Sequence, residues 1–130
     1  MTRHKTHNPS GVAAPAGPYS HGVEVGPNAR WLHIAGQIGT APDGSVPADL
    51  EGQAANCWRN IRNILESAGM AMDDLVKVTV FLTSDSNIGP YRTARDRIIG
   101  ASRPASTLVV VSRLVRPEWL IEIEGVAAKG

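Results

Sequence analysis

The run Leu120-Ile121-Glu122-Ile123-Glu124 holds the side chains best suited to acid-base chemistry. Its strict alternation predicts a strand with Ile121 and Ile123 on one face and Glu122 and Glu124 on the other. Two carboxylates on one face repel if both are buried, so at least one must meet solvent, a cation or a shared proton. A carboxylate so placed could order water for attack on an electrophilic carbon, or it could simply be an exposed strand acid. Tyr19 follows Gly17-Pro18, where restricted backbone angles could fix the direction of its ring; the alternative is a tyrosine packing a loose arm. Gly36, in Ala35-Gly36-Gln37, permits close approach of backbone to a ligand, or marks a bulge or turn at a strand end. His33 shares a strand face with Trp31 and Ala35 and could line a cleft or sit satisfied at a subunit contact. His21 is similarly open, and Cys57 reads most simply as a small core residue.

The elements that must position these groups can be read from periodicity and turn chemistry. Residues 1 to 18 are rich in Pro, Gly, Ala and polar side chains without periodicity, and read as an irregular arm. Ser20 to Val25 and Trp31 to Ile38 are strand-like and flank Gly26-Pro27-Asn28, which predicts a hairpin. From Pro47 onward, Leu50, Ala54, Cys57, Ile61, Ile64, Leu65 and Ala68 recur at helical spacing, with Gly69 as the C-terminal stop. Leu75 to Leu82 alternates as a half-buried strand. Pro90 opens a second helix through Ile99, with Tyr91, Ala94 and Ile98 on one side and Arg92, Arg95 and Asp96 largely on the others. Thr107 to Ser112 and Trp119 to Val126 complete the strands.

The order β-β-α-β-α-β-β describes an α+β domain, a mixed sheet with two helices on one face. The second sheet face then needs cover, and apolar residues on both sides of Thr107 to Val111 suggest other copies of the same chain. A length of 130 residues suits one domain. A net charge of +1 gives no basic field for nucleic acid, so that partner is not expected. No apolar run approaches the ~20 residues of a membrane span and no signal peptide is visible, so a cytoplasmic protein without a membrane partner is expected. One cysteine can form no internal disulfide and, without clustered partners, no zinc site; neither metal nor cofactor is called for.

Gly17-Pro18-Tyr19-Ser20, Gly36-Gln37, Gln53 with Asn60, Ala68-Gly69, Pro104-Ala105 and the strand around Glu122 are spread across the chain. Together they resemble the RidA/YjgF family of small trimeric proteins, which includes imine and enamine deaminases. The resemblance covers residues 14 to 130, leaving 1 to 13 as the arm. It implies the chorismate mutase-like fold, a homotrimer and small-molecule clefts between subunits. It also implies catalytic roles for Glu122, which positions or activates the attacking water, and for Tyr19, which closes a cleft wall and can donate its hydroxyl.

The chain departs from the family at the remaining ligand-binding positions. Active members carry an arginine after Pro-Ala, a serine before Gly-Gln, an asparagine before the tyrosine of the second helix and often a cysteine two residues after the arginine. Here those positions are Ser106, Ala35, Ile88 and Leu108, beside the retained Gly36. A serine hydroxyl cannot reproduce the forked, charge-assisted contact of a guanidinium with a carboxylate. Arg103, Arg113 and Arg116 are near enough in sequence to be considered as substitutes. Three functions follow: hydrolysis of an imine or enamine less anionic or differently anchored, binding of a small metabolite without turnover, and RNA cleavage. The family's L-PSP endoribonuclease label raises the last, and the near-neutral charge opposes it.

Overall fold

The computed structural model describes residues 2–130. Its strands are β1 (Lys5–His7), β2 (Gly22–Glu24), β3 (Arg30–Ile38), β4 (Leu75–Leu82), β5 (Ala105–Val110) and β6 (Ile121–Lys129). Its helices are α1 (Leu50–Ser67) and α2 (Ile88–Asp96). The main sheet has the order β3-β6-β4-β5, with β4 and β5 parallel and the other pairs antiparallel.

Burial follows the alternation. On β4, Val78, Val80 and Leu82 are buried, and on β6 Ile121 and Ile123 are fully so. They meet Ala54, Cys57, Trp58, Ile61 and Leu65 of α1, whose apolar stripe recurs at the spacing that brings side chains onto one helix face. Asp49 caps α1, its side chain accepting from the Gly52 N–H. At the other end Gly69 takes φ 71°, which favours glycine. The amides of Gly69 and Met70 then reach back to the Glu66 and Leu65 carbonyls and satisfy the last turn. α2 packs against α1 and lies on the same side of the sheet.

The opposite face carries no helix. Trp31 is 54% exposed there, and the register puts His33, Val126, Glu124, Thr79 and Val109 on the same face.

Two local expectations give way. The hairpin predicted from Ser20–Val25 and Trp31–Ile38 does not form, because β2 pairs with β1 whereas β3 pairs with β6. β3 must bury Leu32 and Ile34 under α1, and β6 offers it a long partner; β2 is three residues long and has little to bury. The arm is likewise not irregular throughout. Lys5–His7 forms a strand whose side chains are all exposed, so main-chain pairing leaves no hydrophobic period to read. Arg3 fastens it to the core edge by an ion pair of 2.8 Å to the buried Asp74 carboxylate.

Candidate functional site

A cleft of about 320 Å³ opens between α2 and the outer strand β5. β5 places Ser106 and Leu108 toward it, because these residues are in register with the buried Val78 and Val80 of β4 and share their face. The opposite wall is the Gly17–Tyr19 segment, which Ser20 fixes to the start of β5. The Ser20 amide donates to the Pro104 carbonyl at 3.1 Å, and its hydroxyl donates to the Arg103 carbonyl at 2.6 Å. Tyr19 thereby faces Ser106, its hydroxyl accepting a long 3.4 Å contact from the Ala16 amide. Its ring meets His21 edge-on, with centroids 5.7 Å apart.

The third wall is α2, through Tyr91, Arg92 and Arg95. Burial pushes the Tyr91 phenol well above its ordinary range, against the opposing pull of the Arg95 guanidinium. Arg95 lies 5.8 Å from the Tyr91 ring centroid.

Glu122 lies elsewhere. It is in register with Phe81, one step from the buried Ile121 and Ile123, so its carboxylate points to the face away from the helices. There β3 carries an irregularity between Ile34 and Gln37, and Gly36 sits against the acid. A methyl group built on Gly36 would fall 1.9 Å from Oε2 of Glu122, so the carboxylate occupies the space that any other residue's Cβ would need. Ala35 lies beside it, its carbonyl accepting from the Gln37 side chain at 3.1 Å.

Amides from α1 hold the chain on either side of Glu122. Gln53 donates to the carbonyls of Pro47 (2.8 Å) and Glu118 (3.0 Å) and accepts from the Leu120 amide (2.9 Å). Asn56 donates to the Gly39 carbonyl, and Asn60 to those of Ile38 and Thr40. The buried Cys57 thiol donates to the Gln37 carbonyl; burial, with the negative charge of Glu122 adding to it, pushes it up to about 12. It is no nucleophile at neutral pH.

The sequence-derived site residues thus form two groups in one chain. Tyr19, Ser106 and Leu108 line the cleft, while Glu122, Gly36 and Ala35 meet on the other face. Ile88 joins neither, because the first turn of α2 packs it against the core. The three arginines considered as substitutes are engaged elsewhere. Arg103 donates to the Gly100 and Ser102 carbonyls, Arg113 to those of Leu114 and Val115, and Arg116 stacks on Trp119. The cleft's actual cations, Arg92 and Arg95, share the side of α2 that carries Tyr91, contrary to the separation expected from the sequence. Their spacing of three residues was the available signal.

A mixed sheet backed by two helices, with a polar cleft at its outer strand and a carboxylate seated on a glycine across the sheet, defines a class of small α+β domains. The family model described as Endoribonuclease L-PSP matches residues 10–129. The chain is 38% identical over 117 residues to a RutC family protein of Pyrococcus horikoshii, covering 88% of this chain and 90% of that one. It is 33% identical over 129 residues to the 2-iminobutanoate/2-iminopropanoate deaminase of Escherichia coli, covering 96% and 98%. A Rid family protein of unknown function from Yersinia pestis superposes with a TM-score of 0.87 at 29% identity, over 98% of this chain and 100% of that one. The chain belongs to the Endoribonuclease L-PSP family, which includes the Rid proteins and imine deaminases. No helix among the described residues is long and apolar enough to cross a membrane.

Proposed function

We propose that this chain hydrolyses the imine or enamine form of a small metabolite, in clefts completed between the subunits of a homotrimer. The carrying observation is the Glu122 carboxylate lodged over Gly36 on a sheet face that no helix covers. A strand acid with no role needs no glycine opposite it. The Escherichia coli relative named 2-iminobutanoate/2-iminopropanoate deaminase supports the same chemistry.

Glu122 takes a proton from water as the oxygen bonds to the imine carbon, giving a tetrahedral carbinolamine. The C=N π electrons pass to nitrogen, which takes that proton back from Glu122. The carbinolamine hydroxyl then gives its proton, through Glu122, to the amine as the C–N bond breaks, and ammonia leaves with a carbonyl product. Tyr19 closes the cleft and donates its hydroxyl to the bound molecule. Because the sheet separates Glu122 from the Tyr19 cleft within one chain, the acid of one subunit serves the cleft of another.

The uncharged Ser106 favours a second reading, in which the cleft binds a metabolite without turning it over. An imine panel generated in situ by an amino-acid oxidase separates the two. Ammonia release above the free-solution rate supports the enzyme, and release at the free-solution rate throughout the panel leaves the binding protein.

A further inference from the structure

The cleft beside Ser106 is rich in positive charge, and that charge comes from α2. Resting on the reading of this cleft as the ligand site, we infer that Arg95, assisted by Arg92, is an anion anchor that takes a small carboxylate there. The inference starts from the donors Arg95 still has. Its Nε and Nη2 both bind Asp96 Oδ1 at 3.0 Å, and Nη1 has no partner among the described residues. Asp96 therefore consumes two of the five guanidinium N–H groups, and the end-on edge formed by Nη1 and the second Nη2 hydrogen stays open. Two parallel N–H groups on that edge can fork onto a carboxylate.

The edge is also aimed. The Arg95 side chain is 19% exposed, held over the Tyr91 ring on one side. On the other side, a methyl group built on Gly17 would lie 3.9 Å from both Nη1 and Nη2, so the guanidinium end abuts the wall that carries Tyr19. A guanidinium positioned by an aromatic ring and an acid loses little freedom when it binds.

Charge balance points the same way. Arg92 and Arg95 are three residues apart on one helix face, where like charges repel. Arg92 has no ion pair among the described residues, and no carboxylate lines the cleft. An anion between them removes the repulsion. The Ser106 hydroxyl, which has no side-chain partner among the described residues, and the Tyr19 hydroxyl supply further donors, while Leu108 accommodates a short apolar chain. One carboxylate on a small, partly apolar molecule matches these walls. The anchoring that Ser106 cannot provide from β5 is thus supplied from α2.

The test titrates the protein with 2-oxobutanoate and with its neutral amide, following binding by NMR. The carboxylate should bind at least about tenfold more tightly than the amide, with shifts at Tyr19 and at Arg95 Nε. Arg95→Gln should abolish that preference, Arg95→Lys should retain part of it, and Arg92→Gln should reduce it, all at an unfolding temperature near that of the parent. A merely structural Arg95 would weaken both ligands equally and leave their ratio unchanged. An unchanged ratio in Arg95→Gln and Arg92→Gln overturns the inference, as does tighter binding of inorganic phosphate than of 2-oxobutanoate. Ammonia release is measured separately. Arginine-dependent carboxylate preference without imine hydrolysis overturns the enzyme reading alone, and hydrolysis with an unchanged ratio overturns the anchor alone.

Discussion

At the scale of single residues, the clearest dependence is between Glu122 and Gly36. Glu122→Gln keeps the shape and removes the base, so turnover of any imine substrate should fall by about a hundredfold or more while the assembly stays intact. Unchanged turnover would exclude Glu122 as the base. Gly36→Ala approaches the same acid from across the strand pair. The added methyl would meet the flexible end of Glu122 at 1.9 Å, and the partly exposed carboxylate can swing away, so activity should drop with little loss of thermal stability. Assay and melting curve together check this. Cys57 gives a pH prediction. Its thiol is raised from 9.0 to about 12, so above pH 9 the unfolded chain loses this proton before the folded one does. The contribution to stability is whole below pH 9 and falls by about 1.4 kcal/mol per pH unit as pH climbs toward 12. Urea titrations should therefore show the stability gap between the native chain and Cys57→Ala narrowing between pH 9 and 11. Glu122 and Gly36 were legible because alternation and a glycine leave marks in sequence. Arg95 was not, since its role depends on which of its hydrogens Asp96 takes, a matter of side-chain geometry alone.

At the scale of elements, α1 both forms the core and holds the backbone around the acid. Its apolar stripe was plain in the sequence because every third or fourth residue is buried. Its second role falls to Gln53, Asn56 and Asn60, which bond the C-terminal end of β3 and the approach to β6. Gln53 is fully buried and makes three bonds, so Gln53→Leu strands the Leu120 amide and two carbonyls. Each orphaned buried group costs roughly 1–3 kcal/mol, and relaxation toward water recovers part of it. A net loss of about 2–4 kcal/mol in urea unfolding is expected; a loss below about 0.5 kcal/mol would show that Gln53 does not brace the approach to β6. β1 shows the opposite case. Residues held by main-chain pairing at an exposed edge have no burial period, so a period-based reading leaves them in the arm.

At the scale of the whole molecule, two features of one chain support the proposed trimer. The uncovered sheet face exposes Trp31 and Val109, and the two groups of candidate residues stand on opposite sides of the sheet. Light scattering should give a mass three times that of the chain; a monomer at micromolar concentration would remove the shared cleft. A stronger test mixes two inactive variants. Glu122→Gln lacks the acid but keeps its cleft, whereas Ser106→Trp fills the cleft of about 320 Å³ but keeps its acid. If each cleft borrows Glu122 from a neighbour, a site in a mixed trimer works only where the first variant's cleft meets the second variant's acid. Random assembly of equal amounts makes about one site in four of this kind, so unfolding and refolding the two together should restore about a quarter of parental activity. Each variant refolded alone should stay inactive, and so should a mixture of the two made without exchange of subunits. A refolded mixture that remains inactive, with mixed trimers demonstrated by mass spectrometry, would mean that cleft and acid act within one chain or not together at all.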